Sequence, residues 1–267
     1  MLLVTGASGQ LGSLIHAGLV ERGLAPLAAS RDPAGFDDLG RVMDFDDEAS
    51  LDFSGVATVV LVSAGHGEDD DVIARHDRVI SAAEAQGVRH IVYTSLTAAG
   101  DHLGFALAHR WTERRLQASG LDWTILRNGL YAELFGQLAA PSGGVVTAPF
   151  AAGALAAVAR EDLAEVAVQV ALDPSAHVNV TYELAGTAAL TAADLAGRLG
   201  VPYEPATLAA TRSGLADVGL QPFQPAMLMS FYSATAAGFL SSTRTDLQGL
   251  LPGPPRDAMT IAVTAAA

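Results

Sequence analysis

Three glycines spaced Gly6-x-x-Gly9-x-x-Gly12, placed directly after the apolar residues Leu2 to Val4, constrain this chain more than any other feature. A strand that runs straight into a helix needs a tight turn with positive φ. A Cβ in that turn would also hold a phosphate away from the backbone N–H groups at the start of the helix. The flanking pattern supplies both elements. Leu2 to Val4 reads as a buried parallel strand, and Gln10 to Arg22 as a helix with Leu11, Leu14, Ile15, Gly18 and Leu19 on one face. The junction predicts a dinucleotide held by backbone amides, with Gly6, Ser8, Gly9, Gln10, Leu11 and Gly12 as its cradle.

Strand and helix patterns then alternate in the manner a parallel sheet requires. Strands are expected at Pro26 to Ser30, Arg41 to Asp44, Thr58 to Ser63, His90 to Thr94 and Trp123 to Arg127, with helices at Asp69 to Gln86 and Phe105 to Ser119. After Asn128 the pattern loosens. A helix at Arg160 to Leu172, a strand at Thr181 to Leu184 and a helix at Ala192 to Leu199 stand out, while Gln221 to Phe239 reads poorly from propensity. The expected fold is α/β, a Rossmann-like doubly wound parallel sheet with a smaller C-terminal substrate lobe. Residues 1–135 would form the dinucleotide-binding core, and residues 136–267 a mixed region holding the remaining sheet elements and that lobe.

Composition narrows the chemistry. The chain has 267 residues, half of them apolar, enough for a large core. All fifteen basic residues are arginine. Without lysine there is no Schiff-base chemistry, no phosphate-loop lysine and no Tyr-x-x-x-Lys pair. The absence of cysteine excludes disulfides and thiolate catalysis. A formal charge of −14, with no cluster of arginines, argues against nucleic-acid binding. No apolar run approaches the roughly 20 residues needed to cross a bilayer, and the first strand begins at residue 2 with no room for a leader. The expectation is a cytoplasmic protein without a membrane partner. His66 and His102 are spaced too irregularly to suggest a metal site, and none is expected.

The segments TGASGQLG, SRDP at 30–33, MDFDD at 43–47, YTSL at 93–96 and HRWTERRLQASGLDWTILRNGLYAEL at 109–134 resemble the NmrA-like branch of atypical short-chain dehydrogenases, and within it the NAD(P)H:quinone oxidoreductase type. The resemblance extends through VAREDLAEVAVQV at 158–170 and YELAG at 182–186, and it is weakest between 205 and 240.

At the end of the second strand an acidic residue suits a ribose 2′-hydroxyl, whereas an arginine accommodates a 2′-phosphate. The chain shows Ser30-Arg31-Asp32. Arg31 looks like the phosphate clamp of NADP-binding relatives, with Ser30 as a second donor, so NADPH is expected in preference to NADH. Asp44 and Phe45 are placed to meet the adenine, and Asp46 to cap the helical turn that follows. Ser63, Ala64 and Gly65, with Thr94 and Ser95, should lie nearest the nicotinamide and its ribose. Tyr93 and His109 are the candidate catalytic residues. A tyrosine with a pKa of about 10 donates a proton near neutrality but makes a poor base, and position 97 is threonine rather than lysine. The resemblance places a polar residue facing the nicotinamide near His109, and Asn128, Gly129 and Tyr131 at the substrate mouth.

Reduction of a simple ketone leaves an alkoxide that needs a strong proton donor, whereas hydride transfer to a quinone leaves a delocalised, weakly basic oxyanion. A site without a Tyr-Lys dyad suits the quinone. The expected activity is two-electron reduction of a small-molecule acceptor such as a quinone. A non-catalytic redox sensor of the NmrA type, and an epimerase or dehydratase with tightly held NAD, are the alternatives. The chain is expected to be a monomer or a homodimer paired through the helix at 105–119.

Overall fold

The computed structural model describes residues 1–64, 67–216 and 218–267. Along the chain run β1 (Leu2–Thr5), α1 (Gln10–Glu21), β2 (Leu27–Ser30), β3 (Gly40–Val42), β4 (Thr58–Val62), α2 (Asp69–Ala85), β5 (His90–Leu96), α3 (Ala106–Gln117) and β6 (Asp122–Asn128). There follow α4 (Ala132–Leu138), β7 (Ala154–Leu155), α5 (Arg160–Leu172), β8 (Val180–Leu184), β9 (Leu190–Thr191), α6 (Ala192–Leu199), α7 (Leu208–Leu215), α8 (Gln224–Ala236), α9 (Leu247–Leu250) and α10 (Ala258–Ala266). The chain divides into two compact units that trade segments. One holds residues 1–96, 107–127 and 161–182; the other holds 97–106, 128–160 and 183–267.

The first unit is built on the seven-stranded sheet, in the order β3-β2-β1-β4-β5-β6-β8. The pairs β1–β2, β2–β3, β1–β4 and β4–β5 are parallel, with Leu3 opposite both Leu27 and Val59. Strand order reverses at β1, the switch point at which open α/β sheets receive ligands. Because β5 is buried on both faces, every residue from His90 to Leu96 is enclosed, and the strand runs two residues beyond the expected end at Thr94. One face carries Leu3, Leu61, Ile91 and Tyr93 against Val79, Ile80 and Ala83 of α2 and Leu116 of α3. Helices α1 and α5 meet at Gly18, where a Cβ would stand 3.0 Å from Val168 Cγ2. The third strand ends at Val42, short of the expected Asp44, because Asp44 turns away and takes Ser50 Oγ with its N–H.

The second unit contains most of the helices that the sequence left unread. The stretch 221–239 holds α8, which buries Met229, Phe231, Tyr232, Ala234 and Thr235. Phe150 stacks on Phe135 and meets Phe231 and Tyr232 by edge or tilted contact. Helices α4 and α10 approach closely at Gly136, where a Cβ would stand 2.1 Å from Ala262 O. Among the described residues no helix is long and apolar enough to cross a membrane.

The close approach of α1 to β1 yields a test. A Cβ on Gly12 would lie 2.2 Å from Gly6 O and 2.7 Å from Gly6 C, rigid backbone atoms that have little room to yield. Gly12→Ala should therefore lower the unfolding free energy by about 1–3 kcal/mol, the usual range for overpacking, read from the urea midpoint at unchanged slope. An unaltered midpoint would show that α1 can slide outward without cost.

Candidate functional site

In the first unit the glycine turn forms as its spacing demands. Gly6 has φ +58°, and its carbonyl accepts the Gly9 N–H at 2.8 Å. Gly9 is the N-cap of α1, where no side chain caps the helix and no acidic residue stands in the first turn. The first amides of α1 are thus left for an anion, and the helix dipole favours one there. Gly6, Ser8, Gly9 and Gln10 are exposed on this turn, while Leu11 and Gly12 are buried beneath it. The residues fit a dinucleotide: Gly12 lets the helix close on the strand, and the exposed turn presents backbone rather than side chain.

Beside the turn, the hydroxyls of Ser8 and Ser30 lie 2.7 Å apart, and Ser30 Oγ also accepts the Asp32 N–H at 3.2 Å. Ser30 is buried and Arg31 is exposed. Asp32 accepts the Ala34 N–H at 3.2 Å, so one of its oxygens serves the local turn. The Asp44 carboxylate accepts the Asp46 N–H at 3.0 Å, and Phe45 is half-buried against the core. Asp46 is not a cap. It is gripped by Arg75 at 2.7 Å and lies 3.4 Å from Arg78, and Asp47 caps the next turn by accepting the Ala49 N–H at 3.1 Å. Two arginines on the following helix outcompete the local bond, which a window of adjacent residues does not show.

Past β4, Ser63 N–H donates to Thr94 Oγ1 at 3.0 Å and Ala64 N–H to His76 Nε2 at 3.0 Å. Gly65 and His66 lie outside the described residues. Thr94 and Ser95 are buried, and each hydroxyl is engaged: Thr94 Oγ1 by that amide, Ser95 Oγ by donating to Glu113 Oε1 at 2.6 Å.

Tyr93 Oη and His109 Nδ1 lie 2.9 Å apart and share one hydrogen. Tyr93 is wholly buried. Burial drives its hydroxyl pKa well above the ordinary 10, although contacts with Ser63 and Thr112 oppose the shift. Burial also pushes His109 down to about 4, with the Arg110 charge adding and Glu113 opposing. Both groups are neutral near pH 7, so the pair can hold and orient a proton but offers no cationic acid.

Sequence reasoning missed the ionic cluster next to this pair. Glu113, only 3% exposed, receives Arg127 through Nε at 2.9 Å and Nη2 at 2.7 Å, Arg110 Nη1 at 2.8 Å, and Ser95. Burial alone would raise its pKa. The bonds from Arg127 and Ser95, with the charges of Arg110 and Arg127, outweigh burial and hold it below the ordinary value. The i, i+3 spacing of Arg110 and Glu113 was visible, but Arg127 arrives from β6, fourteen residues away.

In the second unit, Asn128 closes β6. Its carbonyl accepts the Thr97 N–H at 2.9 Å, and its side-chain Oδ1 is buried with no hydrogen-bond partner among the described residues. Gly129 allows the chain to pass Leu184 O, which would lie 2.9 Å from a Cβ, and its N–H donates to that carbonyl at 3.0 Å. Tyr131 begins α4 with its ring under the Arg160 guanidinium, 4.6 Å from Cζ to the centroid.

A family model described as NAD(P)H-binding matches residues 6–174, well over half of the chain. The chain belongs to this NAD(P)H-binding family. It is an NAD(P)H-dependent oxidoreductase. Quinone oxidoreductase 2 of Escherichia coli is 35% identical over 92% of this chain and 92% of its own. The crystal structure of an NADPH-dependent quinone oxidoreductase from Escherichia coli complexed with NADPH superimposes with a TM-score of 0.88 at 31% identity, covering 99% of both chains. Triphenylmethane reductase of Citrobacter sp., complexed with NADP(H), gives a TM-score of 0.90 at 28% identity, covering 100% of this chain and 99% of its own. This NAD(P)H-binding oxidoreductase thus shares its whole length with reductases.

The Glu113 cluster of this oxidoreductase predicts an acid dependence. Its folded pKa lies below the ordinary 4.5, so the ionised carboxylate stabilises the fold above that pH. This stabilisation is lost as pH falls through the depressed value. Glu113→Gln should lower stability near pH 7 by about 1–3 kcal/mol. The gap from wild type should close as urea titrations are repeated toward about pH 3. A gap that stays constant with pH would assign the loss to shape rather than charge.

Proposed function

We propose that the chain binds NADPH in preference to NADH and uses it for two-electron reduction of a small acceptor of the quinone class by hydride transfer. The uncapped start of α1 behind the exposed Gly6–Gly9 turn carries this reading, because it presents free amides and a positive dipole end where a pyrophosphate would rest. Gly6, Ser8, Gly9, Gln10, Leu11 and Gly12 would form the cradle. Ser30 and the exposed Arg31 would take the 2′-phosphate, and Asp44 and Phe45 the adenine. Ser63 and Ala64 would border the nicotinamide ribose, with Thr94 and Ser95 supporting them from within the sheet.

When bound, the reduced nicotinamide supplies the hydride. The chain's own residues bind, orient and exclude water. Tyr93 is enclosed and reaches no acceptor, so it serves as a positioning residue that holds His109 through the shared hydrogen. His109 is the group assigned to touch the acceptor. With a pKa near 4 it is neutral at working pH and orients an acceptor oxygen or a water without delivering a strong acid's proton. Asn128, Gly129 and Tyr131 are assigned to the acceptor. A quinone suits a group that orients without supplying a strong acid: NADPH, a proton and a quinone give NADP⁺ and a hydroquinone, and the anion left by hydride transfer is stable enough to take its proton from solvent. The similarity to quinone and triphenylmethane reductases supports this acceptor class.

Fluorescence titration with NADPH and NADH, followed by a benzoquinone in the same cuvette, tests the reading. Oxidation of NADPH on adding quinone is expected. Tight binding of both oxidised and reduced cofactor with no turnover of any acceptor would move the chain to a dinucleotide sensor. Arg31→Ala should weaken NADPH by about tenfold to a hundredfold and leave NADH nearly unchanged; equal losses would make Arg31 structural. His109→Ala should lower kcat more than it raises the Kd for NADPH, and unchanged turnover would remove His109 from the chemistry.

A further inference from the structure

His76, near the middle of α2, has no exposed surface, and both of its ring nitrogens are engaged. Nε2 lies 3.0 Å from the Ala64 nitrogen and Nδ1 lies 2.8 Å from Thr112 Oγ1. A backbone N–H only donates, so Nε2 is the unprotonated nitrogen. Thr112 gives its single hydrogen to Ala108 O at 2.8 Å and can only accept from the ring. Nδ1 therefore carries the proton by a second, independent route. The ring is neutral; burial first, then the charges of His109 and Arg75, pushes its pKa down to about 3. Tyr93 meets the ring edge-on, with centroids 5.6 Å apart and planes at 76°.

This ring holds a peptide that the sheet has released. Strand β4 ends at Val62, and the next two N–H groups bond to side chains: Ser63 to Thr94 and Ala64 to His76. Both peptide planes are set from beneath by buried groups of β5 and α2, and α3 fixes the tautomer through Thr112.

We infer that His76 is a positioning residue for dinucleotide binding, its Nδ1-protonated ring fixing the Ala64 peptide and with it the backbone that receives the ribose next to the nicotinamide. The inference rests on the proposed reading that Ser63 and Ala64 border the cofactor. His76 touches neither cofactor nor acceptor and acts only through the Ala64 N–H.

Two substitutions separate positioning from packing. His76→Asn keeps a donor near Thr112 but falls short of Ala64, whereas His76→Gln reaches Ala64 with its amide oxygen. The Kd for NADPH should rise about three- to tenfold in His76→Asn, the worth of one net hydrogen bond, and return close to wild type in His76→Gln. kcat at saturating NADPH should be similar in all three, and the Ala64 amide should exchange faster in His76→Asn alone. If His76→Asn does not fold, Thr112→Val leaves the ring on Ala64 but strips its Nδ1 proton of an acceptor, and should weaken NADPH in the same direction by a smaller factor. Faster Ala64 exchange with unchanged NADPH affinity would overturn the inference, as would equal losses in the Asn and Gln variants that track thermal stability. Failure of the wild-type protein to bind NADPH would instead remove the site reading, and the inference with it.

Discussion

The structure depends on how closely α1 lies against the end of β1. Gly12 sits so near Gly6 that no side chain fits between them, and Gly6 takes a positive φ to deliver the chain into the helix. This contact aims the first amides of α1 over the sheet edge at the point where strand order reverses. With the helix one methyl group farther out, the same residues would still make a strand and a helix, but the amides would no longer crown the switch point.

Around that contact the chain builds its polar interior without lysine. Neutral histidines and arginine–carboxylate bonds take the places that an ammonium could have filled. His76 and His109 are held well below the ordinary histidine range by burial. Glu113 remains charged because Arg127, Arg110 and Ser95 saturate its oxygens. Each of these groups sits where α2, α3 and β6 meet β5, so the rigidity of the central strand passes to the residues at its end. Such an interior holds its neighbours in place with neutral rings and saturated carboxylates rather than with mobile charge.

Much of the first unit was legible because parallel strands buried on both faces leave continuous β-branched runs, such as Thr58 to Val62, and because α1 and α2 repeat their apolar faces over three or more turns. The second unit was less so. Helix α10 mixes alanine, Met259, Ile261 and Val263 with a thin polar stripe of Thr260 and Thr264, and it packs closely on α4 at Gly136, more than a hundred residues earlier. Helix α8 is nearly as apolar all round, so period gives no sign of which residues, Met229 and Phe231 among them, turn inward. The site divided in the same way. The glycine turn could be named from neighbours in the chain. That Thr94 Oγ1 takes the Ser63 N–H, that Ser95 gives its hydroxyl to Glu113 of α3, that Asp46 is seized by Arg75, and that His76 holds Ala64 could not.

The sequence by itself determined the sheet's parallel character, the glycine turn between β1 and α1 and the exclusion of lysine and thiolate chemistry, because each follows from residue type at short spacing. Tertiary structure alone decided which polar groups are charged, which tautomer a ring adopts and which hydroxyls are engaged within the protein. Those depend on burial and on partners such as Arg127 and Thr112, brought together by strand order rather than by proximity along the chain.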